Sequence, residues 1–351
     1  MEKKKISVLI IFFIAAFALM LDAGKKNISD FSLPYHTTPL QLKIPSGWPK
    51  PSSNIFANNP LTEEGFQLGR KLFYDGRLSK DGNFACASCH QQFAAFATYD
   101  HDLSHGFHDQ FTTRNAPPLF NMAWAKLFHW DGGVNHIEVQ ALSPMTASNE
   151  MAENVDSVLQ KLREDTIYQR LFRAAYGSNL INSQRMLKAL AQFVGSIISS
   201  HSKYDKVKSG EDKFNSAEQR GYELFKMRCN TCHKEPLFTD YSFRNNGLTV
   251  NNFLKDYGRM RITGNPEDSL KFKVPSLRNV SVTYPYMHDG RLYSLSNVID
   301  HYSTGIQQSS TLDSSLRKGI KFTEAEKNDL IYFLHTLKDT LFLKDRRFSQ
   351  P

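Results

Sequence analysis

Apolar residues recur at helical spacing in several stretches of the chain. Phe66, Leu68, Leu72 and Phe73 do so between Thr62 and Tyr74, where Gly65 and Gly69 leave room for another backbone or a bound group. Val155, Val158, Leu159 and Leu162 form a second stripe, and Met186, Leu187, Leu190, Phe193, Val194, Ile197 and Ile198 a third. Ser216–Gln219 and Thr323–Glu326 read as capping boxes opening two further helices, the last carrying Leu330, Ile331, Phe333, Leu334 and Leu337. Alternating strand patterns are few, so the expected fold is mainly α with long loops.

The N-terminus has a different pattern. Lys3, Lys4 and Lys5 precede the sixteen uncharged residues Ile6–Leu21, fewer than the roughly 20 apolar residues a bilayer span takes. Residues 1–23 are therefore read as a signal peptide, with an uncleaved anchor as the alternative and no membrane span in the mature form. Pro34, Pro39, Pro45, Pro49, Pro51 and Pro60 mark residues 24–60 as an extended strap.

The remainder repeats itself. Gly-x-x-Leu-Phe stands at Gly69–Phe73 and Gly221–Phe225, and Pro-x-Leu-x-Asn at Pro117–Asn121 and Pro275–Asn279. Asp-Gly follows at Asp131-Gly132 and Asp289-Gly290. Three matches in one order imply two related domains, 61–205 and 206–351. Their boundary falls in the Lys/Ser/Gly/Asp-rich stretch near Ser200 to Asn215.

Composition narrows the function. With 40% hydrophobic and 22% charged residues among 351, the chain can bury a core, and a net charge of +8 without a long Lys/Arg run gives no sign of a nucleic-acid partner. All four cysteines fall in two Cys-x-x-Cys-His runs, Cys86–His90 and Cys229–His233. This is the haem c attachment signal: two thiols one turn apart add to the porphyrin vinyl groups, and the adjacent His faces the iron. Two disulfides or a four-Cys zinc site would not require the trailing His. The expectation is two covalently bound haem c groups in tandem cytochrome c-like domains.

Counting from the repeated Asp, His129 matches Met287, Trp130 matches His288, and Pro144 matches Tyr302. A side chain able to ligate iron in the second half thus faces a proline in the first, which suggests one closed haem and one that can open for chemistry.

These residues, with Ser104-His105-Gly106, Arg114-Asn115, Asn149-Glu150-Met151, Gly258-Arg259 and Lys273–Asn279, resemble the bacterial di-haem cytochrome c peroxidase family, which includes the MauG-type enzymes. The resemblance spans about residues 60–340. It implies a periplasmic peroxidase with a peroxidatic haem on His90 and an electron-transfer haem on His233. Glu150 matches the distal acid, Trp130 the tryptophan between the haems, and His105 the histidine that caps the first iron at rest. Asn115 matches a calcium-site residue, with carbonyls of Lys273 and Pro275 as further donors. Implied partners are hydrogen peroxide, a small electron donor such as a cytochrome c, and a second copy of the chain in a homodimer. Tyr302 departs from the peroxidases, which place methionine there, and is similar to MauG; Met287 and His301 are the alternative ligands. The readings left open are the peroxidase, a MauG-type oxidase of a protein or small molecule, and a non-catalytic di-haem electron carrier.

Overall fold

The computed structural model describes residues 35–51 and 55–351, so the signal-peptide segment lies outside the described residues. Thr37–Pro351 pack as one unit. In chain order the helices are α1 (Glu63–Phe73), α2 (Cys86–Cys89), α3 (Leu142–Thr146), α4 (Val155–Arg163), α5 (Thr166–Tyr176), α6 (Ser183–Ser196), α7 (Lys203–Lys208), α8 (Ser216–Arg228), α9 (Met260–Thr263), α10 (Leu295–Asp300) and α11 (Glu324–His335). A π-turn, His301–Gly305, follows α10 directly. Two-residue strands β1 (Phe243–Arg244) and β2 (Phe272–Lys273) pair antiparallel. The fold is thus mostly helical, and among the described residues no helix is long and apolar enough to cross a membrane.

Helix α1 begins where Thr62 accepts the Gly65 N–H, carries Glu63 and Glu64 in its first turn and Arg70 and Lys71 in its last, and buries Leu68, Leu72 and Phe73. It packs on α6 through Gly69, where a Cβ would lie 1.9 Å from the Ala189 carbonyl oxygen. Gly65 faces the Gln192 side chain. In the second half α8 packs on α11 through Gly221, whose added Cβ would lie 1.9 Å from the Asp329 oxygen. The repeated glycine is there so that two helix backbones can touch.

Other backbone features repeat with it. Asn121 and Asn279 adopt φ of 55° and 57°, and Gly132 and Gly290 adopt 72° and 71°. Asn121 N–H donates to Ile197 O at 2.8 Å, and Asn279 N–H to Leu337 O at 3.0 Å. Buried apolar residues gather in two clusters. One cluster is drawn chiefly from residues 55–198 and includes Phe73, Phe96, Phe193 and Trp124. The other gathers Tyr204, Phe225, Phe238, Phe333 and Leu337. Each fully buried Phe or Leu contributes ~1.5–3 kcal/mol relative to exposure.

The structure corrects one helix start. Asn215, not Ser216, caps α8, accepting the Glu218 N–H while Glu218 closes the capping box. The stretch around residue 205 contains a helix, α7, whose Asp205 pairs with the fully buried Arg278 at 2.7 and 2.8 Å. Arg278 also stacks under Trp48 of the proline-rich segment, at 4.5 Å from the ring centre. The chain's last residues return to the first half, where Phe348 is buried and Tyr74 donates to its carbonyl at 2.6 Å.

The close approach at Gly221 is open to test. Replacing Gly221 by Ala should lower stability by about 2 kcal/mol or more, because the backbones must separate. The check is the denaturant midpoint of the purified protein; an unchanged midpoint would show that the α8–α11 contact is slack.

Candidate functional site

Helix α2 is a single turn, so Cys86, Cys89 and His90 present their side chains to one place. That place is a cavity of about 410 Å³, in the range of a small-molecule site. Cys86, Cys89, His90, His105, Asn115, Trp130, Pro144 and Glu150 all line it. The sequence-derived candidates of the first half therefore converge.

His90 is fixed by its backbone surroundings. Its Nδ1 lies 2.8 Å from the Phe96 carbonyl, and a bond to a carbonyl requires the proton on Nδ1, leaving Nε2 as the basic nitrogen. Burial pushes its pKa down to about 4, which keeps the imidazole neutral. His233 repeats the arrangement, with Nδ1 at 3.2 Å from the Phe238 carbonyl and 3.1 Å from that of Pro275. Phe96 and Phe238 hold positive φ of 58° and 55°, which turns each carbonyl toward its histidine. None of the four cysteines is in a disulfide, and burial raises Cys86 and Cys229 to about 12. Two neutral thiols beside a neutral imidazole with its Nε2 free form a donor set that fits haem c at both places.

Glu150 sits on the turn after α3. Its N–H donates to Ala147 O at 3.0 Å and its carbonyl accepts the Phe107 N–H at 2.7 Å. The half-buried carboxyl lines the cavity, and burial alone raises its pKa, with no cation or hydrogen bond to offset it. His105 is exposed in a loop, bridged to Phe111, whose ring centre lies 4.6 Å from its own. Gly106 lies against the Asn149 carbonyl, where a Cβ would approach to 2.2 Å, so the His105 loop and the Glu150 turn are laid directly on one another.

Trp130 joins the halves. Its Nε1 donates to the Asn115 carbonyl at 2.8 Å, and its own carbonyl accepts the Lys273 N–H at 2.7 Å. Asn115 is buried, donates its backbone N–H to His288 O at 2.8 Å, and donates its side-chain amide to the Asp102 carbonyl at 3.0 Å. Among the described residues no three His, Cys, Asp or Glu side chains gather as a metal site. Behind Trp130, Arg114 forks onto Asp256 at 2.6 and 2.9 Å and reaches Asp131 at 2.6 Å. Burial works against Asp256 ionising, but Arg114's hydrogen bond and charge outweigh it and hold the carboxyl below its ordinary range.

Tyr302 and Met287 lie in a separate group. Tyr302 occupies the π-turn, a geometry frequent at functional sites, and its phenol is raised to about 12 by burial, with the Cys229 and Cys232 thiols adding to the shift. Asn246 donates to Met287 Sδ at 3.4 Å and also bonds the Tyr302 side chain. His301 engages its Nε2 with the Asn246 carbonyl at 3.0 Å. Asn246 was not singled out from sequence, and nothing in the local pattern distinguishes it. Arg261 and Ile262, which reach the first cavity from α9, were missed for the same reason.

The chain is similar to known di-haem proteins. A family model described as di-haem cytochrome c peroxidase matches residues 63–213. The methylamine utilization protein MauG of Methylorubrum extorquens is 37% identical over 304 residues, covering 85% of this chain and 83% of its own length. The cytochrome c551 peroxidase of Nitrosomonas europaea is 31% identical over 302 residues, covering 82% and 84%. The crystal structure of a MauG-like protein associated with microbial copper homeostasis superposes with a TM-score of 0.82 at 34% identity, over 89% of this chain and 99% of that one.

The Arg114–Asp256 pair carries a pH signature. A depressed carboxyl stabilises the fold above its unfolded pKa, about 3.9, and that contribution is lost as pH falls through the folded value. Asp256→Asn should cost about 3 kcal/mol at neutral pH, as for one partner removed from a buried pair, and much less near pH 2. Urea unfolding at both pH values checks this; an equal loss at both would mean the charge is not what matters.

Proposed function

The chain belongs to the di-haem cytochrome c peroxidase family, and from that premise we propose an exported oxidoreductase that reduces hydrogen peroxide to water with electrons from a small redox protein such as a cytochrome c. The observation that carries this reading is the unpaired carboxyl of Glu150 in the cavity onto which Cys86, Cys89 and His90 converge. Export rests on the pattern of residues 1–23, and the two haem domains on the doubled Cys-x-x-Cys-His frame.

Haem attached at Cys86 and Cys89, with His90 Nε2 as proximal donor, would supply the electrophilic iron and the electrons for O–O cleavage. The protein's share is proton movement and positioning. A Glu150 oxygen takes the proton from the peroxide oxygen that stays and returns it to the one that leaves, so that H2O2, two protons and two electrons become two waters. A carboxyl with a burial-raised pKa is suited to both roles. Cys229, Cys232 and His233 would hold the second haem, which would supply the entry point for electrons, and Trp130, whose bonds to Asn115 and Lys273 fix the indole between the halves, would stand on the path to the first. His105 is the candidate resting-state cap. A calcium ion at Asn115 Oδ1 would stiffen the carbonyl that holds Trp130.

The position of Tyr302 favours a second reading. A phenol close enough to Cys229 and Cys232 to feel their thiols, in place of a thioether, would favour oxidised iron in a haem held there. That suits a MauG-type oxidase in which both haems share oxidising equivalents and the substrate is a protein or small molecule at the surface.

Two substitutions test these readings. Glu150→Gln should keep both haems attached while lowering peroxide turnover by roughly 10²-fold or more, the usual share of a general acid–base group; near-normal turnover removes Glu150 from the chemistry. Tyr302→Met should raise the potential of the second haem and improve electron uptake from reduced cytochrome c. An unchanged potential would take Tyr302 off the iron.

A further inference from the structure

A haem tethered at Cys86 and Cys89 brings two propionates, and those carboxylates need positive partners. Two cationic side chains line the cavity, Arg114 and Arg261. Arg114 is already committed: its Nε and Nη2 bond Asp256 and its Nη1 bonds Asp131. With two carboxylates on one guanidinium, it has no charge left to offer.

Arg261 differs. It stands on α9, a four-residue helix of the second half. Its guanidinium comes no closer than 3.9 Å to Asp256, too far for a hydrogen bond, and its side chain is 54% exposed. Both sides of it are anchored. Arg259 donates to the Asp131 carbonyl at 3.0 Å and stacks 4.2 Å over Phe243. Ile262 packs where a Cβ on Gly133 would come within 2.9 Å. The helix is thus pinned to the cavity rim while its single arginine makes no hydrogen bond through its guanidinium with any described residue.

We propose that Arg261 binds a propionate of the first-half haem. It acts as a positioning residue through which the second half of the chain clamps the cofactor of the first. The inference rests on the haem reading above. A propionate paired with Arg261 leaves less negative charge acting on the iron, so the pair raises the potential of that haem. It also makes the α9 loop sensitive to whether the cavity is filled.

The test uses purified holoprotein with Arg261→Lys, Arg261→Gln and Arg261→Glu, and Lys271→Gln as control. Lys271 carries the same charge near α9, but its ammonium pairs with Asp268 at 3.3 Å and is not on the cavity wall. Spectroelectrochemical titration should place the first-haem potential in the order wild type, Lys, Gln, Glu from highest to lowest, with the control near wild type. The propionate-bending band in resonance Raman spectra should move in the Gln and Glu variants and not in the control. Equal potentials across the series, or a control that shifts as far as Arg261→Gln, overturns the assignment. Pigment extractable from denatured wild-type protein would instead remove the covalent haem reading beneath it, so the two failures are distinguishable.

Discussion

A histidine whose Nδ1 is bonded to a backbone carbonyl has only Nε2 to give, and its ring can face only one way. That constraint governs both halves of this protein. At His90 the carbonyl is Phe96's, and at His233 it is those of Phe238 and Pro275. For those carbonyls to point inward, Phe96 and Phe238 must hold left-handed backbone conformations, and the loops after each Cys-x-x-Cys-His run must be locked by packing. The helix pairs α1–α6 and α8–α11, brought to backbone contact at Gly69 and Gly221, supply that packing. The histidine orientation is therefore a property of the whole fold.

On this repeated frame the side chains diverge, and the divergence is where function enters. Pro144 lines the first cavity, whereas its counterpart Tyr302 occupies a π-turn beside Asn246. His129 and Met287 share positive φ, at 64° and 75°, yet present different chemistry. Trp130 faces one partner half through its carbonyl and the other through its indole, while its counterpart His288 stacks on Phe272 at 3.7 Å. One backbone plan thus carries a carboxyl-bearing cavity in one copy and a phenol- and thioether-bearing group in the other. The Arg114–Asp131–Asp256 cluster lies between them and ties the halves electrostatically.

Much of this was legible in sequence, for reasons that differ residue by residue. Helix α1 could be placed because Thr62 is a strong cap and its apolar residues keep one face. The start of α8 slipped by one because Asn215 and Ser216 both cap well and Glu218 and Gln219 can both close the box. Helix α5 was missed because only Tyr168, Phe172 and Ala175 are buried on it, amid charged neighbours. The carbonyl partners of His90 and His233 could not be read at all, since a backbone oxygen has no letter in the sequence. Arg261 was equally silent: an arginine in a polar stretch becomes informative only when the fold brings it to the cavity that holds His90, far earlier in the chain.

On the proposed function, one iron site can open while the other stays closed. Optical and paramagnetic-resonance spectra recorded through a stepwise reductive titration, with peroxide added at each step, address it directly. A high-spin haem is expected in at least one redox state, with peroxide reacting at that haem while the other stays low-spin. Two haems that remain low-spin at every step and ignore peroxide would mark an electron carrier and contradict it.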